Sequence, residues 1–162
     1  MKCIIVDDEP LAIEIMESYV AKVEQLKLEG TFRNAVSAFT FLQQHPVDLI
    51  FLDIRMGGMS GIETLQQLRA KQDASKVLML TVHEDDGLLK KAIRAGASGY
   101  LVKRAAESEL INAIRTVGLN LTNAAIIDND FVDPAQRYAR ALAGSEFRIP
   151  DREFTTLWDN RI

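Results

Sequence analysis

The stretch KCIIVDDEPLA, residues 2–12, decides how the rest of the chain is interpreted. An apolar, β-prone run over residues 3–6 is followed at once by three adjacent acids, Asp7, Asp8 and Glu9. Carboxylates held side by side raise the free energy of one another's ionised form. No basic residue lies close enough in sequence to neutralise them, so the stretch predicts a compensating charge from elsewhere in the fold.

Short apolar runs alternate with amphipathic stretches over the first 118 residues. The predicted strands cover residues 3–6, 26–32, 47–53, 76–81 and 98–102, and the predicted helices cover residues 9–23, 35–45, 61–72, 84–96 and 107–118. Three of the strands are apolar on both faces, which is typical of a parallel sheet with helices on both sides. We therefore expect an α/β fold over residues 1–118, a doubly wound five-stranded parallel sheet of flavodoxin-like order 2-1-3-4-5.

Residues 119–162 have no such alternation, and we expect them to form a short, mostly helical C-terminal extension. They carry five basic and seven acidic side chains, hence a net charge of −2. DNA readers rely on clustered lysine and arginine, so the extension is not expected to be a complete DNA-binding domain. Whether it is native, truncated or a fusion stays open.

The composition excludes several classes of protein. The formal net charge of −4 gives no reason to expect non-specific binding to nucleic acid or to anionic membranes. Cys3 is the only cysteine and lies in an apolar run, which predicts a reduced, buried thiol. No apolar run has the length of a membrane span, and the N-terminus does not resemble a signal peptide. We therefore expect a cytoplasmic protein.

Chemically active side chains stand at the carboxyl ends of four predicted strands: Asp7 and Asp8 after the first, Asp53 at the third, Thr81 at the fourth and Lys103 at the fifth. In an open parallel sheet these ends share one edge, where ligands bind. Clustered carboxylates are tolerable around a hard divalent cation such as Mg²⁺, which prefers oxygen ligands. Lys103 would neutralise part of the remaining charge.

Each of these residues also has an ordinary structural interpretation. Asp7 and Asp8 are suitable for capping the following helix or placing charge in its first turn. Asp53 could be a loop acid, Thr81 a turn residue and Lys103 a solvated charge. It is their joint arrival at one edge of the sheet that favours a functional site.

The sequence resembles the receiver domain of bacterial two-component response regulators over residues 2–118. The motifs that carry the resemblance are IIVDDEP (4–10), VDLIFLDIRM (47–56), GMSGIE (58–63), LMLT (78–81) and GASGYLVK (96–103). The resemblance implies phosphoryl transfer from a sensor histidine kinase or phosphotransfer protein to Asp53. It also implies Mg²⁺ held by Asp7, Asp8, Asp53 and the backbone carbonyl of Arg55.

The same resemblance assigns roles to three further residues. Lys103 and Thr81 would contact the phosphoryl oxygens, and Tyr100 would be an aromatic switch that moves as Thr81 is drawn inward. The domain would then control a partner protein, with a homodimer left open. It would assist its own phosphorylation and dephosphorylation without being an enzyme in the ordinary sense.

Two other functions stay open at this point. One is a DNA-binding transcription regulator with a truncated or reduced output domain. The other is a flavodoxin-like domain that binds a nucleotide or flavin, or a metal-dependent phosphatase. The turn VDDEPLA (6–12) disfavours anion binding without a metal, because it is acidic and lacks glycine.

The sequence departs from the family pattern directly after Asp53. Related receivers often have Met-Pro-Gly where this chain has Met56, Gly57 and Gly58. Losing a loop proline typically costs about 0.4–1 kcal/mol through the entropy of the unfolded chain. We therefore expect a looser loop beside Asp53.

Overall fold

The computed structural model describes residues 1–82, 85–103, 108 and 111. The strands are β1 Lys2–Val6, β2 Lys27–Phe32, β3 Leu49–Asp53, β4 Lys76–Thr81 and β5 Gly99–Val102. The helices are α1 Pro10–Val20, α2 Ala35–Leu42, α3 Gly61–Ala70 and α4 Asp86–Arg94. All strand pairs are parallel, in the order β2-β1-β3-β4-β5. The predicted architecture is confirmed for these nine elements.

All four described helices end earlier than their sequence patterns predict, α3 at Ala70 and α4 at Arg94 by two residues and α1 and α2 by three. Helix α1 ends at Val20 because the chain then turns, and Val23 enters the core instead of continuing the helix. Helix α2 ends at Leu42, and the following turn leads towards Pro46. The predicted fifth helix, apart from positions 108 and 111, and the extension 119–162 lie outside the described residues.

The sheet separates two apolar layers, because successive side chains of a strand point to opposite faces. On one face, α1 packs against residues such as Ile5 and Phe51. On the other face, α2, α3 and α4 pack against residues such as Ile4 and Leu52. Both faces of β3 are therefore buried, which explains its continuous apolar sequence. Cys3 is buried as predicted, and burial raises the pKa of its thiol to about 11.

Side-chain caps begin three of the helices near the carboxyl edge of the sheet. Asn34 caps α2 and Asp85 caps α4 by accepting backbone N–H groups of the first turn. Ser60 and Glu63 form a reciprocal capping box at the start of α3. These caps fix where each helix leaves the loops that follow the strands. In the part of the chain that is described, no helix combines the length and the apolar character that crossing a bilayer requires.

We predict that Leu65→Ala in α3 lowers the free energy of unfolding by about 2–5 kcal/mol, because it opens a cavity at a fully buried site. Val36→Ala is the matched control, since Val36 is exposed on α2, and it should change stability by less than about 0.5 kcal/mol. Urea unfolding followed by circular dichroism measures both. Equal effects of the two substitutions would contradict the two-layer packing.

Candidate functional site

Four side chains meet at the carboxyl edge, each from the end of a different strand. Asp7 directly follows β1, Asp53 ends β3, Thr81 ends β4 and Lys103 directly follows β5. Because β1, β3, β4 and β5 are successive neighbours, these residues lie side by side. Asp7, Asp53 and Thr81 are at most 3% exposed. The sheet thus brings together the residues that the sequence placed at its strand ends.

Lys103 supplies the compensating charge that the acidic stretch predicts. Its ammonium Nζ lies 2.5 Å from Asp7 Oδ2 and 2.8 Å from Asp53 Oδ1. Its backbone N–H donates to the carbonyl of Thr81 over 2.6 Å, which holds the end of β5 to the end of β4. One lysine therefore bridges the carboxylates that end β1 and β3.

The pKa values of Asp53 and Lys103 reflect both their burial and their contact with each other. The pKa of Asp53 is raised to about 6, chiefly by loss of solvation and to a smaller extent by the nearby Asp7 and Asp8, against the opposing attraction of Lys103. Burial alone would lower the pKa of Lys103, but its contacts with Asp53 and Asp7 outweigh burial and raise it. Lys103 is therefore held as a cation between two buried acids.

Asp7 is held as part of the site and does not cap α1. Its Oδ1 accepts the backbone N–H of Glu9 over 3.0 Å, and its own N–H donates to the carbonyl of Phe32 over 2.9 Å. The residue at the N-cap of α1 is Glu9, without a side-chain cap, and Pro10 begins the helix. The capping interpretation of Asp7 and Asp8 is therefore wrong.

Asp8 is the most exposed of the three acids and is fixed by two long-range contacts. Its Oδ2 accepts the backbone N–H of Gly57 over 3.0 Å. Its main-chain carbonyl accepts from the guanidinium of Arg33, with Nη2 at 3.1 Å. Sequence reasoning missed both partners, because nothing in the local pattern of residue 33 or 57 points to Asp8.

The donor set fits a hard cation. In the described part of the chain, Asp7, Asp8 and Asp53 each offer one carboxylate oxygen, and these oxygens lie within 4.8 Å of one another. Apart from its ion pair with Lys103, Asp7 Oδ2 accepts from no described residue. Mg²⁺ prefers oxygen ligands and binds through one or two carboxylates while keeping several of its waters, so these closely spaced carboxylates fit it. Arg55 lies two residues beyond Asp53 with its side chain exposed, and its carbonyl remains a predicted ligand.

Tyr100 stands in β5, opposite Met79 of β4. Its side chain is only 4% exposed and belongs to the apolar layer that includes Leu89 and Ala92 of α4. Thr81 lies two residues after Met79, at the end of the same strand. Tyr100 thus lies between β4, which ends at Thr81, and the inner face of α4. The role of Tyr100 as a switch stays a prediction.

The loop between Asp53 and α3 is held at two points, although the sequence lacks the proline expected there. Gly57 donates to Asp8, and Gly61 donates its N–H to the carbonyl of Ile54 over 2.9 Å. Met56, directly before Gly57, is buried. Gly58 has a φ of +81°, a left-handed backbone that glycine adopts readily.

Gly61 is a further residue whose importance sequence reasoning missed. A Cβ at this position would come within 2.0 Å of the Asp53 carbonyl oxygen. Only glycine therefore lets the start of α3 approach the backbone that carries Asp53. A glycine at the first helical position, directly after the cap Ser60, was the available signal in the sequence.

The fold and site together define a flavodoxin-like α/β domain with an acidic pocket and a partly buried lysine at the carboxyl edge of its sheet. The family model of the response regulator receiver domain matches residues 3–115. This chain belongs to the response regulator receiver domain family. Such a domain is a signalling switch of two-component systems and not a classical enzyme.

Individual relatives agree with this assignment. The transcriptional regulatory protein MalR of Bacillus subtilis is 36% identical over 100 residues, covering 62% of this chain and 43% of MalR. The response regulator GacA of Pseudomonas aeruginosa is 30% identical over 117 residues, covering 72% of this chain and 55% of GacA. The chain thus spans about half the length of the curated relatives it matches.

Solved structures show the same fold. The response regulatory domain of mrkE from Klebsiella pneumoniae is 28% identical with a TM-score of 0.67, covering 74% of this chain and 97% of that one. A LuxR-family two-component response regulator from Aurantimonas sp. SI85-9A1 is 26% identical with a TM-score of 0.70, covering 88% and 97%.

We predict that Gly61→Ala destabilises the domain by about 1–3 kcal/mol, because the added methyl group must displace the backbone of Asp53. The direction is diagnostic, since alanine normally stabilises a helix relative to glycine. Gly57→Ala is the control: its Cβ would lie 3.9 Å from the nearest atom outside its chain neighbours, an ordinary contact. Chemical unfolding compares the two, and a stabilised Gly61→Ala would contradict the close approach.

We also predict a pH dependence from the buried carboxyl of Asp53. Its folded-state pKa is raised to about 6, above an ordinary value of about 3.9. The neutral carboxyl of Asp53 therefore makes its full contribution to the free energy of unfolding when the pH lies below the ordinary pKa. This contribution is lost as the pH rises through 6. Asp53→Asn cannot ionise, so its stability relative to the parent should rise by about 1 kcal/mol from about pH 5 to about pH 8.

Unfolding of both proteins in a chelating buffer measures this difference without bound divalent cations. A relative stability of Asp53→Asn that stays flat or falls over that interval would show that Lys103 compensates the Asp53 charge fully.

Proposed function

We propose that Asp53 is the phosphoacceptor of this receiver domain and that it takes a phosphoryl group from a sensor histidine kinase or phosphotransfer protein. The observation that carries the proposal is the pairing of buried Asp53 with Lys103 beside two further carboxylates. A carboxylate oxygen of Asp53 attacks phosphorus, a P–O bond forms and the P–N bond to the donor imidazole breaks. The imidazole leaves with the bonding electron pair.

Asp7, Asp8, Asp53 and the backbone carbonyl of Arg55 would hold Mg²⁺ at this site. When bound, the ion offsets the negative charge that gathers on the phosphoryl oxygens during transfer. Lys103 provides a second positive charge in contact with both Asp53 and Asp7. Its ammonium can pass from Asp53 Oδ1 to a phosphoryl oxygen with little movement, because it is already in contact with the acceptor.

Thr81 and Tyr100 would convert the covalent change into a change of shape. The phosphoryl group adds acceptor oxygens and negative charge, which draws the hydroxyl of Thr81 inward, and Tyr100 follows it. Because Tyr100 packs beside α4, the helix face that a partner meets changes with phosphorylation. The switch is a two-state element biased by a covalent ligand.

The same pocket would assist both addition and hydrolysis of the phosphoryl group. We propose a receiver domain over residues 1–118, a C-terminal extension over residues 119–162, a cytoplasmic location and a protein partner for the output. Dimerisation of the chain is consistent with this output. Two relatives are named transcriptional regulatory proteins, but the net charge of −2 over residues 119–162 does not favour DNA binding by this chain.

We predict that incubation with a small acyl phosphate or phosphoramidate and Mg²⁺ raises the intact mass by one phosphoryl group. Asp53→Asn should abolish the increase, because it removes the nucleophilic oxygen. Asp48→Asn is the matched control, since this exposed aspartate directly precedes β3, the strand that Asp53 ends, and it should be labelled like the parent. Labelling of Asp53→Asn to the level of the parent would show that another residue is the acceptor.

A further inference from the structure

Arg69 joins the C-terminal ends of two neighbouring helices. It lies in the last turn of α3, and its side chain is partly buried. Its Nε and Nη2 donate to the carbonyl of Gly96, just beyond α4, over 3.3 and 3.1 Å. Its Nη1 donates over 2.8 Å to the carbonyl of Asp73, in the loop after α3. A single guanidinium thus holds the end of α4 to the end of α3.

The backbone around Gly96 accommodates this contact. Gly96 has a φ of +95°, which glycine adopts readily, and a Cβ there would lie 3.2 Å from Arg69 Nε. The N–H groups of Gly96 and Ala97 donate back into the last turn of α4, in the Schellman pattern that closes a helix. The N–H of Ser98 donates to the carbonyl of Val77 in β4 over 2.8 Å. The C-terminal end of α4 is therefore held by hydrogen bonds to both α3 and β4.

The N-terminal end of α4 is held differently. Its cap, Asp85, accepts the N–H groups of Gly87 and Leu88, and both hydrogen bonds are local to the helix. Leu88 and Leu89 pack into the apolar layer beneath the helix. Such packing is non-directional. The first turn is thus secured by its own cap and by apolar contacts.

The two ends of α4 lie at opposite edges of the sheet. The N-terminal end follows β4 and lies at the carboxyl edge with Asp53, whereas the C-terminal end leads into β5 at the amino edge. The nine residues of α4 span about 14 Å. A change at Asp53 therefore acts nearest to the end of α4 that apolar packing secures, and the end that Arg69 holds is the distant one.

We propose that Arg69 is a positioning residue of the switch: it fixes the C-terminal end of α4 to α3, so that phosphorylation of Asp53 moves only the N-terminal part of α4. This inference rests on the proposed function, because it takes the phosphoryl group on Asp53 as the signal. A helix fixed at one end turns about that end, whereas a helix without such a tie shifts as a whole. Arg69 thereby determines which part of the α4 surface changes for a partner protein.

Hydrogen exchange of the full chain tests the proposal amide by amide, with and without Mg²⁺ and beryllofluoride, a mimic of the phosphoryl group. In the parent, we expect the mimic to change the exchange of the first-turn amides, Gly87 and Leu88. The amides of Gly96 and Ala97 should exchange equally with and without the mimic, because Arg69 holds this end in both states.

Arg69→Met removes the three hydrogen bonds that the guanidinium donates and keeps an unbranched side chain. It should speed the exchange of Gly96 and Ala97 by at least about 10-fold, because hydrogen bonds from a charged group are strong. In this variant the mimic should also change the exchange of both amides. Arg94→Met is the matched control, because Arg94 is exposed in the last turn of α4, and it should behave as the parent does.

Fluorine NMR of the bound mimic separates failure of this inference from failure of the proposed function. A parent that does not bind the mimic overturns both. A parent that binds it, but whose Gly96 and Ala97 amides respond as strongly as its first turn, or whose first turn does not respond, overturns the inference alone. Exchange in Arg69→Met that is the same with and without the mimic shows that Arg69 only stabilises the fold, and the positioning role is then wrong.

If Arg69→Met does not fold, Arg69→Lys replaces it in the same experiment. Lysine keeps the positive charge but lacks the planar fork that contacts Gly96 through two nitrogens. We expect the Gly96 and Ala97 amides of this variant to respond to the mimic. Amides that remain unresponsive would show that the end of α4 is fixed without the Arg69 guanidinium, and the proposal would be wrong.

Discussion

The structure depends on one partly buried cation placed between two buried acids. Lys103 contacts both Asp7 and Asp53, and without it the ends of β1 and β3 would hold neighbouring charges out of water. Isolated buried charges cost several kcal/mol each, and a well-placed partner is what makes them tolerable. The arrangement also keeps Asp53 short of full compensation, since its pKa remains raised. A buried carboxylate whose charge is only partly compensated is stabilised by a further cation nearby. A covalent modification that changes the charge of the carboxylate is favoured for the same reason.

The fold explains why Lys103 and the two acids lie close together. Parallel strands place all their carboxyl ends at one edge. The order β2-β1-β3-β4-β5 puts the acids on the neighbouring strands β1 and β3 and the lysine two strands beyond β3, after β5. The surrounding loops are then secured by contacts to the same site. Gly57 holds the carboxylate of Asp8, Arg33 holds its main chain, and Gly61 lets α3 begin against the backbone of Asp53. The support of the pocket thus combines a backbone N–H at Gly57, a side chain at Arg33 and the absence of a side chain at Gly61.

The sequence predicts the parts of this structure that are local or repetitive. The alternation of apolar runs predicts the doubly wound parallel sheet, Pro10 predicts the start of α1, and the acids at strand ends predict the pocket. The contacts of Gly57 and Arg33 with Asp8 could not be predicted, because they join residues far apart in the chain through loops without periodicity. The end of α1 at Val20 was missed for a related reason, since burial of Val23 in the core overrides a helical pattern that continues beyond it. The loop expected to loosen without its proline is instead held by the N–H that proline would lack.

The central claim is that Asp53 receives a phosphoryl group whose charge is shared by Lys103 and a cation held by the neighbouring acids. A crystal structure of the chain with Mg²⁺ and beryllofluoride, a mimic of the phosphoryl group, tests it most directly. The account predicts beryllium bonded to a carboxylate oxygen of Asp53, with fluorines in contact with Lys103 Nζ and the Thr81 hydroxyl, and Mg²⁺ against Asp8. Beryllofluoride bound to another side chain, or Mg²⁺ bound away from the three acids, would contradict it.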